Sequence, residues 1–429
     1  MSSDYDVVVC GAGAGGLAAA RALGEIGLRV LVVDKQRSPR PVAKGEVLQP
    51  GALRVLRRWG AERLLESRGA LRLGRLVVRD AHGAPLMELD YGQLPAEDRS
   101  LLAHDHLSVL DALTAGLGES VEVRRGVRVE EALRDGTGRV VGVRLAERGQ
   151  GQPRQAQQHD VHAPLVVAAD GIGSRLRRAA GVGGRRSEYP HRLVSFELNG
   201  VAARPDDFSA YLTARGLRLV YPLPDGRVRL YVQARPEELR GLDGAEFARW
   251  SEAAVREVPA LAPLAGALPA AAGTRQLFPV ARFLAERLTA PGLALVGESA
   301  YAVHPMAAQG MNTAITSAGA LADSLACGTG ELSPETVDAA LRAYEQDRLP
   351  VLAQAARTSD NAARMVTDLS LPGRLLGRRA VRCSGANPRL LHTITYNMAG
   401  LGPRPLTLLD RLQQLGLLPD PRSHRVPPG

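Results

Sequence analysis

Residues Gly297–Asn312, GESAYAVHPMAAQGMN, place a carboxylate, a phenol and an imidazole within seven positions, at Glu298, Tyr301 and His304. Pro305 and Gly310 follow, and an Ala-rich helical pattern starts there. A carboxylate after an apolar strand can accept hydrogen bonds from sugar hydroxyls. A helix start carries free amides that favour negative charge. Near the N-terminus, Gly11, Gly13 and Gly16 form GxGxxG, and Asp34 follows Gly11 by 23 residues. Gly11 permits a tight turn, Gly13 lets a pyrophosphate approach the backbone, and Gly16 lets helix and strand pack closely. The amides that open the helix, at Ala14, Gly15 and Gly16, then meet the phosphates. Asp34 is placed to accept hydrogen bonds from ribose, with Lys35 beside it. An acid here favours FAD or NAD over NADP. No His/Cys/Asp cluster has ligand spacing, so no metal site is expected. The GES triplet lacks the GxSxG elbow of a serine hydrolase.

Elements must position these groups. YDVVVCGAGAGGLAAARALGEIGLRVLVVDK reads as strand, turn, helix, strand. LRLGRLVVRDAHGAPLMELDY reads as a hairpin turning at HGAP, and HDHLSVLDALTAGL as a helix. VEVRRGVRVEEALRDGTGRVVGVRLAE alternates as a β-meander, and RGQGQPRQAQQHD reads as a loop between strands. APLVVAADGIGSRLRRAAGV returns to strand, turn and helix. Residues 184–280 are β-rich with one amphipathic helix, GAEFARWSEAAVREV, and helices alone follow residue 330.

Hydrophobic residues make up 45% of the 429, enough for a sizeable core, while aromatics at 4% leave that core to Leu, Val and Ala. The net charge is +9, with Lys35 and Lys44 as the only lysines and the arginines reading as spread along the chain. No clustered basic arm supports nucleic-acid binding. The three cysteines, Cys10, Cys327 and Cys383, form no CxxC pair. With no secretory leader pattern and no run of ~18 apolar residues, no membrane span is expected and a cytoplasmic protein is the default.

Three blocks together carry a resemblance: GAGAGG ending in Asp34, VVAADGIGSRLR with Asp170, Gly171, Ser174 and Arg177, and LALVGESAYAVHPMAAQGMN. In this order they resemble the FAD-dependent monooxygenases with the p-hydroxybenzoate hydroxylase fold, on the ubiquinone-hydroxylase-like and epoxidase-like side. The resemblance implies an α/β fold: a Rossmann-type FAD-binding domain, an inserted β-rich substrate domain and C-terminal helices. The expected boundaries are 1–71, 100–183 and 281–330 for the FAD-binding part and 72–99 with 184–280 for the substrate domain. A helical region follows at 331–418, and 419–429 is expected to be a disordered tail.

The same resemblance implies FAD, NADH or NADPH as a transient reductant, O2, and a hydrophobic small-molecule substrate. One oxygen would pass from a C4a-hydroperoxyflavin, giving aromatic hydroxylation or alkene epoxidation, in a setting such as antibiotic biosynthesis. Glu298 would contact the flavin ribitol, and Gly310, Met311 and Asn312 would present helix-start amides to the ring. Lys44 stands where the family usually has Arg, and His106, with His104 as a second register, where an Arg often opens a helix near the flavin. The candidates nearest the ring for a catalytic role are Tyr301, His304 and Pro305. Three positions depart from the family pattern: Glu298 for Asp, Tyr301 for His and Ala308 for Gly. Glu298 needs the chain to shift by about one bond length, and Ala308 is expected to stay out of the positive-φ region. Tyr301, neutral at pH 7, would shape the ring site without titrating. The rival readings are a flavin-dependent halogenase, which would need a WxWxIP motif absent around Trp59 and Trp250, a geranylgeranyl-reductase-like enzyme, and a non-redox FAD-holding cyclase.

Overall fold

The computed structural model describes residues 5–148, 156–202, 204–327 and 332–425. β1 (Val7–Cys10), α1 (Ala14–Glu25) and β2 (Val30–Asp34) open it. Their runs VVVC and VLVVD are buried with almost no exposed position, as strands covered on both faces require. A six-stranded sheet runs Thr289–Ala290, Leu293–Leu295, Leu165–Ala168, β1, β2, Val121–Arg125. Its pairs are parallel except at the 289–290 edge. The strand Val121–Arg125 corrects the meander reading, because it pairs with β2 in this sheet. Val127–Arg134 and Val140–Arg148 do form a hairpin, and Ala156–His162 completes a separate three-stranded sheet. The segment read as a loop over 148–160 is therefore strand from Ala156 onward. Residues 149–155 lie outside the described residues.

An eight-stranded sheet holds the predicted 75–90 hairpin, as Arg75–Asp80 and Pro85–Asp90, beside five strands from Gly184 to Ala285 and the short Tyr301–Ala302. One face packs Leu212 and Leu219 with Val366, Val381 and Met398 of the C-terminal helices. The other packs Phe196 and Val232 against Phe247 of the helix Gly244–Arg256. The last helices are Pro334–Thr367, Leu371–Gly385, Pro388–Ala399 and Leu408–Gln414. The tail departs from expectation. Asp420 is inside, accepting from Arg389 Nε at 2.8 Å and Asn387 Nδ2 at 3.0 Å, and so anchors 419–425. No helix among the described residues is long and apolar enough to cross a membrane.

Buried charge ties the sheet to the loop after β2. Glu46 accepts from Arg229 Nε at 2.8 Å and Nη2 at 2.7 Å, and from Tyr221 Oη at 2.9 Å. Burial pushes the Glu46 carboxyl up, but this two-pronged geometry is that of an ionised pair, and Glu46 holds the Arg229 guanidinium charged. Arg229 also reaches Glu197 at 2.9 Å, and Arg227 grips Asp105 through two bonds of 2.9 and 2.7 Å. Removing one partner strands the other charge. Arg229→Ala is expected to cost about 3–5 kcal/mol in urea unfolding, whereas the double change Glu46→Leu with Arg229→Met retains most of the stability.

Candidate cofactor-binding site

Three strand ends meet at one groove of about 760 Å³, lined by Gly11, Gly13, Asp34, Lys35, His106 and Asp170. It lies outside the carboxyl ends of β1, β2 and Leu165–Ala168, where doubly wound sheets hold dinucleotides. The glycines divide by what surrounds them. A Cβ on Gly11, at φ +115°, would collide with the Ala169 carbonyl, and one on Gly16 would collide with the Gly11 carbonyl. A Cβ on Gly15 would lie 3.2 Å from Gly297 Cα, so α1 seats directly on the Gly297 corner. A Cβ on Gly13 would meet nothing within 4 Å. Gly11, Gly15 and Gly16 therefore serve packing and Gly13 faces open space, the cradle a pyrophosphate requires. Ala14 begins α1 with no side-chain cap on its amides.

Asp34 accepts from Ala12 N and Gln36 N, each at 2.7 Å. A carboxylate has about four acceptor positions, which leaves capacity for ribose hydroxyls. Residues that the sequence reading passed over complete the groove: Arg40, Arg125, Arg128, Val129 and Arg175. Arg125 reaches the groove through the parallel pairing of its strand with β2, which the meander reading hid.

Asp170 borders the same groove and accepts from Arg175 N at 2.9 Å. Ser174 caps the short helix by accepting from Arg177 N at 3.0 Å. Arg177 turns inward, donating to Ser299 O at 2.7 Å and Ile172 O at 3.0 Å, with its guanidinium 4.2 Å from the Phe283 ring centre. Ser299 Oγ in turn donates to Ala168 O at 2.6 Å. The second and third motifs are thereby stapled together, and Arg177 is a brace, not a groove residue.

Glu298 is half-exposed and ion-paired with Lys44, a contact the sequence did not foretell. The family's Asp and Arg are here Glu and Lys, and the longer acid reaches the cation. His106 Nδ1 donates to Lys44 O at 2.9 Å, which leaves Nε2 as the free acceptor beside the groove. Burial lowers its pKa, and the hydrogen bond to the Lys44 carbonyl offsets part of that. His104 is turned inside, with Nδ1 donating to Asp105 O at 2.8 Å and Nε2 buried without a partner. Burial lowers its pKa to about 4. Of the two registers, His106 is the one at the groove.

The Tyr301–Asn312 corner corrects several expectations. Tyr301 and His304 are covered by protein, and neither presents to a ring site. The Tyr301 hydroxyl is buried without a partner. His304 caps its own turn, accepting from Met306 N at 3.2 Å through Nδ1, and its Nε2 lies 3.0 Å from His191 Nε2. Nδ1 being an acceptor, the proton sits on Nε2 and is donated to His191. Burial lowers the pKa of His304 to about 3 and that of His191 to about 4. Asn312 is also buried, accepting from Ala52 N at 2.8 Å, and Met311 packs against Gly45. Pro305 is partly exposed, and Gly310 faces open space. Ala308 sits at φ +50°, ψ +31°, inside the region it was expected to avoid. The turn into the helix Gln309–Ala326 requires that conformation with or without glycine.

The FAD binding domain family matches residues 4–359. The 3-demethoxyubiquinol 3-hydroxylase of Escherichia coli (strain K12) is 32% identical over 165 residues, 38% of this chain and 41% of that enzyme. This chain thus spans less than half of that relative. Squalene epoxidase 3 of Arabidopsis thaliana is 26% identical over 443 residues, covering 97% of this chain and 81% of that one. Among solved structures, PqsL of P. aeruginosa in complex with 2-aminobenzoylacetate superimposes with a TM-score of 0.73 at 27% identity, covering 85% of this chain and 97% of that one.

Two outcomes follow from the corner. Ala308→Gly relieves a left-handed alanine worth about 1–2 kcal/mol, less the ~0.5–1 kcal/mol that glycine adds to unfolded-chain entropy, so a gain of about 1 kcal/mol or less is expected in thermal unfolding. His304, His191 and His104 titrate in the fold at about 3, 4 and 4, against ~6.5 unfolded. Between those values the unfolded chain binds more protons. Stability is therefore full above pH ~6.5 and falls as the pH drops towards 4, by up to ~1.4 kcal/mol per unit per histidine. Unfolding midpoints measured across this range should show that slope, and His304→Gln should make it shallower.

Proposed function

Because the chain belongs to the FAD binding domain family and is an FAD-dependent monooxygenase, we propose that it places one atom of O2 into an apolar small molecule, with NADH or NADPH as transient reductant. Ring hydroxylation and alkene epoxidation are the two reactions in view. The observation that carries this reading is the convergence of three separate turns, at Gly11–Gly16, Asp170–Ser174 and Gly297–Ser299, on one corner.

FAD supplies the redox and oxygen chemistry when bound. The protein's share is to hold, orient and keep dry. The amides opening α1 would hold the pyrophosphate over Gly13, and Asp34 the adenosine ribose. Glu298 would hold the ribitol and Lys44 a phosphate. The start of the helix Gln309–Ala326, open at Gly310, favours negative charge at the ring. The apolar face of the eight-stranded sheet and the helices packed on it exclude water.

Purified protein is expected to be yellow and to release FAD, and to consume NAD(P)H and O2 with a product heavier by one oxygen atom. Asp34→Ala should weaken FAD by about 1–3 kcal/mol, the scale of lost charge-assisted hydrogen bonds. Glu298→Asp should be mild and Glu298→Ala should lose FAD. Conversion of substrate without O2 and without NAD(P)H would replace this reading with a non-redox cyclase. Saturation of an alkene under the same flavin reduction would point to a reductase.

A further inference from the structure

The C-terminal helices carry a surface that the fold leaves uncovered. Leu371, Leu375, Leu376, Leu408, Leu417 and Leu418 are each at least 43% exposed. They stand on adjoining elements, since Gln414 Nε2 donates to Ser384 Oγ at 3.1 Å and Arg379 Nε to Leu415 O at 2.6 Å across the helices Leu371–Gly385 and Leu408–Gln414. Four of these leucines stand on the two packed helices and two, Leu417 and Leu418, on the turn that follows, so together they make a patch, not scattered exposure.

The charge around them is one-sided. Residues 371–425 hold nine arginines against Asp410 and Asp420, a net +7 out of +9 for the whole chain. Both aspartates turn inward onto Arg389, at 2.6 and 2.8 Å. The positive charge that reads as evenly spread along the sequence is in balance over the first 370 residues and concentrated here.

A groove between these helices and the end of Pro334–Thr367, lined by Asp368, Leu376, Gly377, Ala380 and Leu415, shares Asn361, Met365, Arg411 and Gln414 with a narrow apolar cavity. Met306, next to Pro305, also lines that cavity. The groove and the cavity therefore share a wall, and the cavity reaches the residue that follows Pro305.

We propose that this face rests on the surface of an anionic phospholipid bilayer, without crossing it, and that the groove admits an apolar substrate from the lipid. Leucines buried among acyl chains and arginines at the headgroups are the combination that holds a peripheral protein on such a surface. A second copy of the chain fits less well, because a two-fold contact would set two strongly positive surfaces against each other. The entry of substrate rests on the monooxygenase reading. The docking does not, and can be measured without turnover.

The test is flotation of the FAD-loaded protein with vesicles of phosphatidylcholine alone or mixed with phosphatidylglycerol. Binding is expected to the mixed vesicles, to be weak on phosphatidylcholine, and to be released by high salt. Arg382→Gln should lower the partition about five-fold, ~1 kcal/mol for one surface arginine. Leu371→Ser, Leu375→Ser and Leu408→Ser combined should lower it more than ten-fold, with FAD content and unfolding midpoint unchanged. Absence of flotation at low salt, equal binding to both vesicle types, or indifference to the leucine changes would each overturn the proposal. A concentration-dependent dimer lost in the leucine variant, without flotation, would assign the face to a second copy instead.

Discussion

The structure depends on backbone meeting backbone where no side chain fits. Gly16 lies on the Gly11 carbonyl, Gly11 on that of Ala169, and Gly15 on Gly297. These contacts bring the first, second and third motifs within a few ångströms although some 280 residues of chain separate the ends of the set. Every group assigned to the cofactor hangs from that junction. Gly13, in the midst of it, is the position where the crowding stops, and the contrast defines where a ligand has room.

Around the junction, polar groups are recruited to structure more than to the groove. Arg177, in the motif expected to face the cofactor, braces two turns through carbonyls. Asn312 likewise accepts from a backbone amide, and His304 divides its ring nitrogens between a backbone amide and His191. What faces the groove or open space is Gly13, Asp34, Asp170, His106, Gly310 and the Lys44–Glu298 pair, with Arg40, Arg125, Arg128 and Arg175 around the rim. The paired change from the usual Asp and Arg to Glu and Lys keeps opposite charges at these two places with the side-chain lengths redistributed. It explains how a longer acid at Glu298 is accommodated.

The sequence revealed what is local. Glycine spacing, apolar runs of four or five residues and the 75–90 hairpin depend on near neighbours, and these were readable. What it hid depends on distant partners. His304 is buried because His191 and Tyr189, more than a hundred residues away, pack on it. His104 and His106 stand at a strand-to-helix junction where periodicity does not say which faces out; Asp105, gripped by Arg227, decides it. Asp420, beyond the last helix, was read as tail because its partner Arg389 stands on the helix Pro388–Ala399. Ala308 shows the converse limit: a backbone conformation imposed by the turn overrode the residue's own preference.

The pairing of Arg75–Asp80 with Phe208–Thr213 has a consequence for how the molecule is made. The early hairpin has no neighbour on one edge until some 130 residues later, and the far side of the same sheet closes only at Tyr301–Ala302. The parallel sheet waits just as long, for Leu293–Leu295. Neither layer is a stretch of sequence that could be cut out and folded alone. During synthesis both remain open-edged until about 300 residues have emerged, and such late-closing, long-range pairing folds slowly. The two layers were therefore bound to arise, and to be altered, as one piece.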